Sequence, residues 1–99
     1  MVYERTADGA WARDFGLRDQ IRRACVSVLS NIAEGFGRQG DDEFHRFLSM
    51  ARGSAAEVKA QLYVALDLGY LTDAQFSELY GQVDEVSRLV TGFMRALKR

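Results

Sequence analysis

Ninety-nine residues fit one domain, 1–99, at about 100–200 residues per domain, which excludes a two-domain enzyme with a cleft between halves. Hydrophobic residues make up 47% and charged residues 27%, a soluble globular composition, and the absence of proline favours long uninterrupted helices. Thirteen Lys+Arg against fourteen Asp+Glu leave a net charge of −1, so nucleic-acid binding would need a local basic patch.

The first segment, Met1 to Asp14, is the least regular. Val2–Thr6 can form a helical turn, Asp8-Gly9 breaks it, and Trp11 and Phe15 read as apolar anchors. The second segment, Phe15 to Phe36, carries the apolar stripe Leu17, Ile21, Ala24, Val28, continued by Asn31. A second stripe lies beside it: Cys25, Leu29, Ile32 and Phe36. One partner helix covers only one stripe, so this helix is expected either at the centre of the subunit or at a subunit interface. Gly35, Gly37 and Gly40 are expected to end it.

The third segment, from Asp41 to about Leu68, opens with Asp41, Asp42 and Glu43, which suit a helix N-terminus. Phe44, Leu48, Ala51, Ala55, Val58, Leu62 and Ala65 keep a heptad spacing. The small residues Ala51, Gly53, Ser54, Ala55 and Ala56 would let another backbone approach. Gly69 is a C-terminal stop and Thr72 an N-cap. The fourth segment, from Asp73 to about Lys98, carries Phe76, Leu79, Val83, Val86, Val90, Phe93 and Leu97. No strand pattern appears. The spacing predicts an all-α, antiparallel up-and-down bundle.

Nothing forms a constellation for catalysis. There is no phosphate-binding loop, no nucleophile elbow and no His-Glu-x-x-His, and a di-iron bundle would need paired Glu-x-x-His motifs. His45 is expected to be solvated, and Cys25 to pack as a small hydrophobe. We therefore expect no enzyme, no metal and no cofactor. Asn31, on the core stripe, should be buried and hydrogen-bonded, with Ser54 or Glu57 as its partner. Arg18, Arg22 and Arg23 form one basic strip, and Arg88, Arg95, Lys98 and Arg99 make the chain end basic. Repeated around a ring, Arg18, Arg22, Arg23, Arg95, Lys98 and Arg99 could contact RNA or DNA phosphates. No apolar run is long enough for a membrane span and no signal peptide begins the chain, so a cytoplasmic protein is expected.

The stretch Phe15-Gly16-Leu17-Arg18-Asp19-Gln20-Ile21-Arg22-Arg23-Ala24 is followed by Val26-Ser27 and by Ser30-Asn31-Ile32-Ala33-Glu34-Gly35. Further on stand Glu43-Phe44-x-Arg46-Phe47-Leu48, Gly53-Ser54-x-x-Glu57 and Ala65-Leu66-Asp67-Leu68-Gly69-Tyr70-Leu71. Together these resemble the bacterial four-helix-bundle proteins first noted as open reading frames in 23S ribosomal RNA intervening sequences. The resemblance implies a four-helix bundle assembled into a homopentameric ring, with Ser30, Asn31, Glu34, Gly35, Ser54 and Glu57 as motif residues. It also implies kinship with the accessory protein of diversity-generating retroelements, which works with a reverse transcriptase and nucleic acid. Two departures stand out. Leu29 replaces the family's usual proline, and Val2-Tyr3 resembles the last turns of the family's first helix, leaving that helix shortened. A groove lined by the three long helices is then expected to lie open. The expected function is a non-enzymatic oligomeric scaffold, joined through Cys25, Leu29, Ile32 and Phe36 and the small-residue patch of the third segment. The alternative is a nucleic-acid-binding or reverse-transcriptase accessory module.

Overall fold

The structure, a computed structural model, describes residues 2–97. Two short helices, α1 (Val2–Arg5) and α2 (Gly9–Arg13), precede three long ones: α3 (Phe15–Gly37), α4 (Asp41–Asp67) and α5 (Asp73–Leu97). No strand occurs among the described residues. Short turns make α3 antiparallel to α4 and α4 antiparallel to α5. The backbone of α4 lies against both neighbours, whereas α3 and α5 barely approach each other. The result is a flat layer, 45 × 22 × 16 Å, with α4 in the middle. Of the two expectations for α3, the central position falls to α4, and α3 forms one edge.

The start of α3, the end of α4 and the start of α5 each have a local cause. The Asp14 carboxylate accepts from the Leu17 N–H at 3.2 Å and caps α3. Gly69, at φ +77°, ends α4: Tyr70 N–H donates to the Ala65 carbonyl at 2.9 Å and Gly69 N–H to Leu66 at 3.0 Å. That pair of bonds is the Schellman closure, which a left-handed glycine makes possible. Thr72 Oγ1 accepts from Gln75 N–H at 3.1 Å while Gln75 Oε1 accepts from Thr72 N–H at 3.0 Å, a reciprocal capping box opening α5.

Six of the seven α4 stripe residues, Leu48, Ala51, Ala55, Val58, Leu62 and Ala65, are buried, and Phe44 packs beside them. They feed two apolar clusters. One joins Trp11, Ile21, Ala24, Val58, Leu62, Ala65 and Leu79, and the other joins Leu48, Val90 and Met94. On α5 the stripe departs from a strict heptad. Met94 is buried while Phe93 is 50% exposed, because an α-helix turns every 3.6 residues and a seven-residue repeat drifts around it.

The N-terminal segment is tied down more firmly than its irregular sequence suggests. Trp11 is 1% exposed and stacks on Tyr70, ring centroids 6.2 Å apart. Tyr70 Oη donates to Asp14 at 2.8 Å, which holds the phenol above its ordinary pKa. Phe15, expected as an anchor, is instead exposed beneath the Arg18 guanidinium.

Gly35 does not terminate α3. It is buried inside the helix, and a Cβ there would stand 2.8 Å from Phe44 Cδ1 and 3.2 Å from Phe47 Cβ. Gly35 is thus the point where α3 and the start of α4 close on each other. Gly81, in α5, has open space around it. Gly81→Ala should stabilise the protein by about 0.5–1 kcal/mol through helix propensity. Gly35→Ala should instead destabilise it by about 1–3 kcal/mol through overpacking. Paired urea melts check both signs.

Between α4 and α5, Lys59 Nζ bonds Asp84 at 2.7 Å. That hydrogen bond lowers the Asp84 pKa; burial opposes it, and the charges of Lys59 and Arg88 add to the lowering. A carboxyl lowered on folding stabilises above its unfolded pKa, and that stability is lost as pH falls through the folded value. Asp84→Asn should therefore shrink the drop in urea midpoint between about pH 5 and about pH 2. An unchanged drop would show that the pair contributes nothing.

Candidate functional site

Because α3 and α5 flank α4 with little contact between their backbones, one face of the layer carries a groove. Cys25, Val28 and Leu29 form one wall, Val83 and Val86 the other, and Ala55 and Val58 line it from α4. Val2 lines it too, and Gln82 is its single polar side chain. Its volume is about 150 Å³. It sinks to α4 where the two apolar clusters leave only alanine, whose side chain fills little space. Burial pushes the Cys25 thiol pKa up, so the thiol is poorly nucleophilic.

The apolar surface continues past the groove. Leu29 is 68% exposed and Phe36 62%, both on the second stripe of α3; Cys25 and Ile32 are half-buried. Gln82, Val86, Leu89 and Phe93 follow each other at helical spacing on α5. Phe36 meets Phe93 edge-on, centroids 6.3 Å apart, and tilts onto Phe44 at 4.8 Å. Exposed apolar side chains thus come from both edges of the layer, and rows of this kind mark interaction sites.

The remaining motif residues sit around the α3–α4 seam. Asn31 Nδ2 donates to the Ser27 carbonyl at 2.8 Å and to Ser27 Oγ at 3.1 Å, and Ser27 Oγ pairs with Ser54 Oγ at 2.8 Å. Asn31 is thus half-buried and bonded to its own helix; Ser54 reaches it through Ser27, and Glu57 stands outside the relay. Glu57 lines an open polar cleft with Gln20, Arg23, Ser27, Ser54 and Gln61. Ser30 is exposed, and Glu34 pairs with Arg38 at 3.2 Å on the surface. The small-residue patch of α4 is divided: Ala51 and Ala55 are core, Gly53 and Ala56 face outward, and Ser54 bonds Ser27.

The basic residues do not converge. Arg22 Nε donates to the buried Thr6 hydroxyl at 2.8 Å and its guanidinium covers the Tyr3 ring. Arg18 donates to the Ala12 carbonyl and pairs with Asp19 at 3.0 Å. Both fasten or abut the N-terminal segment, which spacing along one helix could not reveal. Arg23 lines the polar cleft, Arg95 lies far along α5, and Lys98 and Arg99 fall outside the described residues. No group of three or more His, Cys, Asp or Glu side chains suited to a metal occurs among the described residues. No described helix is long and apolar enough to cross a membrane.

These features define an all-helical protein whose three long helices form an open layer with an apolar face. The chain belongs to the 23S rRNA-intervening sequence protein family, which matches residues 1–92. It is similar in structure to a protein of unknown function from the S23 ribosomal protein family of Bacteroides thetaiotaomicron. The TM-score is 0.85 at 22% identity, over 94% of this chain and 84% of that one, a likeness of fold. No curated protein matches the chain.

The relay across the seam is open to a double-mutant cycle. Ser27→Ala and Ser54→Ala should couple by about 0.5–1.5 kcal/mol, the worth of one hydrogen bond. Ser27→Ala and Glu57→Ala should be additive in the same urea melts.

Proposed function

We propose that the protein is a non-enzymatic, cytoplasmic helical scaffold that assembles with copies of itself, as a homopentameric ring. The observation that carries this reading is the apolar face between α3 and α5, with Leu29, Phe36, Leu89 and Phe93 at least half exposed. Its occupant is a second copy of the chain. The opposite side of α4 presents Gly53, Ala56 and Ala60, small exposed residues that let a neighbouring helix approach closely. A groove on one face and a small-residue ridge on the other make a heterologous pair, the kind of contact that closes into a ring. A net charge of −1 per chain opposes such assembly only weakly.

Light scattering coupled to size exclusion tests the reading. The expected mass is five times that of the 11.1 kDa chain. Leu29→Arg should reduce it to a monomer of unchanged helicity, with faster labelling of Cys25 by a thiol reagent. A wild-type monomer at micromolar concentration, or a Leu29→Arg variant that keeps its mass, overturns the proposal.

A further inference from the structure

On the side of the layer where α4 meets the last turns of α5, an open pocket of about 400 Å³ is lined by His45, Arg52, Thr91, Met94 and Arg95. No carboxylate lines it. The two arginines differ from others on the long helices and their caps. Arg38, Arg46 and Arg88 each have an acid one turn away and pair with it: Glu34, Glu43 and Asp84. Arg52 has Leu48, Ser49, Ala55 and Ala56 at those positions, and Arg95 has Thr91 and Gly92 before it and basic residues after it. Neither guanidinium has a hydrogen-bond or ion-pair partner among the described residues. The helix dipole accounts for a cation at Arg95, in the last turn of α5, but not for one at Arg52, in the middle of α4.

We infer that His45, Arg52 and Arg95 form a binding site for a phosphate dianion, free or as the terminal group of a phosphomonoester. Two guanidiniums from facing helices can each offer paired N–H donors to phosphate oxygens, and together they balance a charge of about −2 at neutral pH. The half-buried imidazole supplies a third nitrogen, and buried Met94 limits water on one side. Thr91 is committed elsewhere, its hydroxyl donating to the Ser87 carbonyl at 3.0 Å. Asp41 and Asp42, exposed about one turn before His45, and Glu43, paired with Arg46, are not part of the lining. The inference does not rest on the scaffold reading, because the pocket lies outside the apolar groove.

His45 is the sole histidine, so its ring resonances report this site without further assignment. Inorganic phosphate is titrated against the full chain at pH 7 and constant ionic strength, with chloride as the balancing anion. The ring resonances should shift and saturate, and glycerol phosphate should reproduce the end point. Arg52→Gln and Arg95→Gln should each weaken binding at least about tenfold, as expected for loss of a charge-assisted bond. Arg13→Gln, on α2, should leave it unchanged. Circular dichroism of each variant confirms the helices. A shift that never saturates, that chloride alone produces, or that survives Arg52→Gln overturns the inference.

Discussion

The structure depends on one constraint: a single stripe of α4 has to pack two helices at once. Leu48, Ala51, Ala55, Val58, Leu62 and Ala65 are buried between α3 and α5. The alanines on that stripe bring the flanking helices close to α4 but offer little volume to fill the space between them. Burial therefore runs along α4; α3 packs besides only on the short N-terminal segment, and α5 is packed on one side. The groove at Cys25, Leu29, Val83 and Val86 is the direct consequence, as is the exposure of Leu29, Leu89 and Phe93.

The front of the chain shows how a short, polar segment is held without a helix of its own length. Thr6 is fully buried, donates to the Val2 carbonyl at 2.9 Å and accepts from Arg22. Trp11 joins the cluster around Ile21 and Leu62 and is covered by Tyr70, which reaches Asp14, the residue that caps α3. Capping, stacking and burial thus meet at the junction of α2, α3 and the α4–α5 turn. This network engages Arg22 and places Arg18 against α2, so two of the arginines that look like a free basic strip are used within the fold.

A different charge pattern survives on the surface. Arg38, Arg46 and Arg88 each pair with an acid one turn away, which leaves the surface locally neutral there; such exposed pairs contribute at most about 1 kcal/mol each. Arg52 and Arg95 lack that neighbour, and the antiparallel crossing of α4 and α5 puts them in one pocket with His45. Their spacing of 43 positions along the chain hides this arrangement from any reading of a single helix.

The sequence by itself determined the three long helices, the turn between α4 and α5 and most of the buried faces. The signals for these are local: a 3.6-residue apolar period, Gly69 as a stop, Thr72 as an N-cap, and the Ser-Asn-Ile-Ala-Glu-Gly block that resembles the family. Tertiary structure alone decided which helix is central, because stripe width shows how much must be buried but not against which partner. It alone decided that Gly35 is a point of close approach rather than a stop, since Phe44 and Phe47 come from the next helix. It also turned Asn31 onto Ser27 and Phe93 outward in favour of Met94. Each of these outcomes depends on the rotation of one helix against another, a relation between surfaces that spacing along one chain segment does not contain.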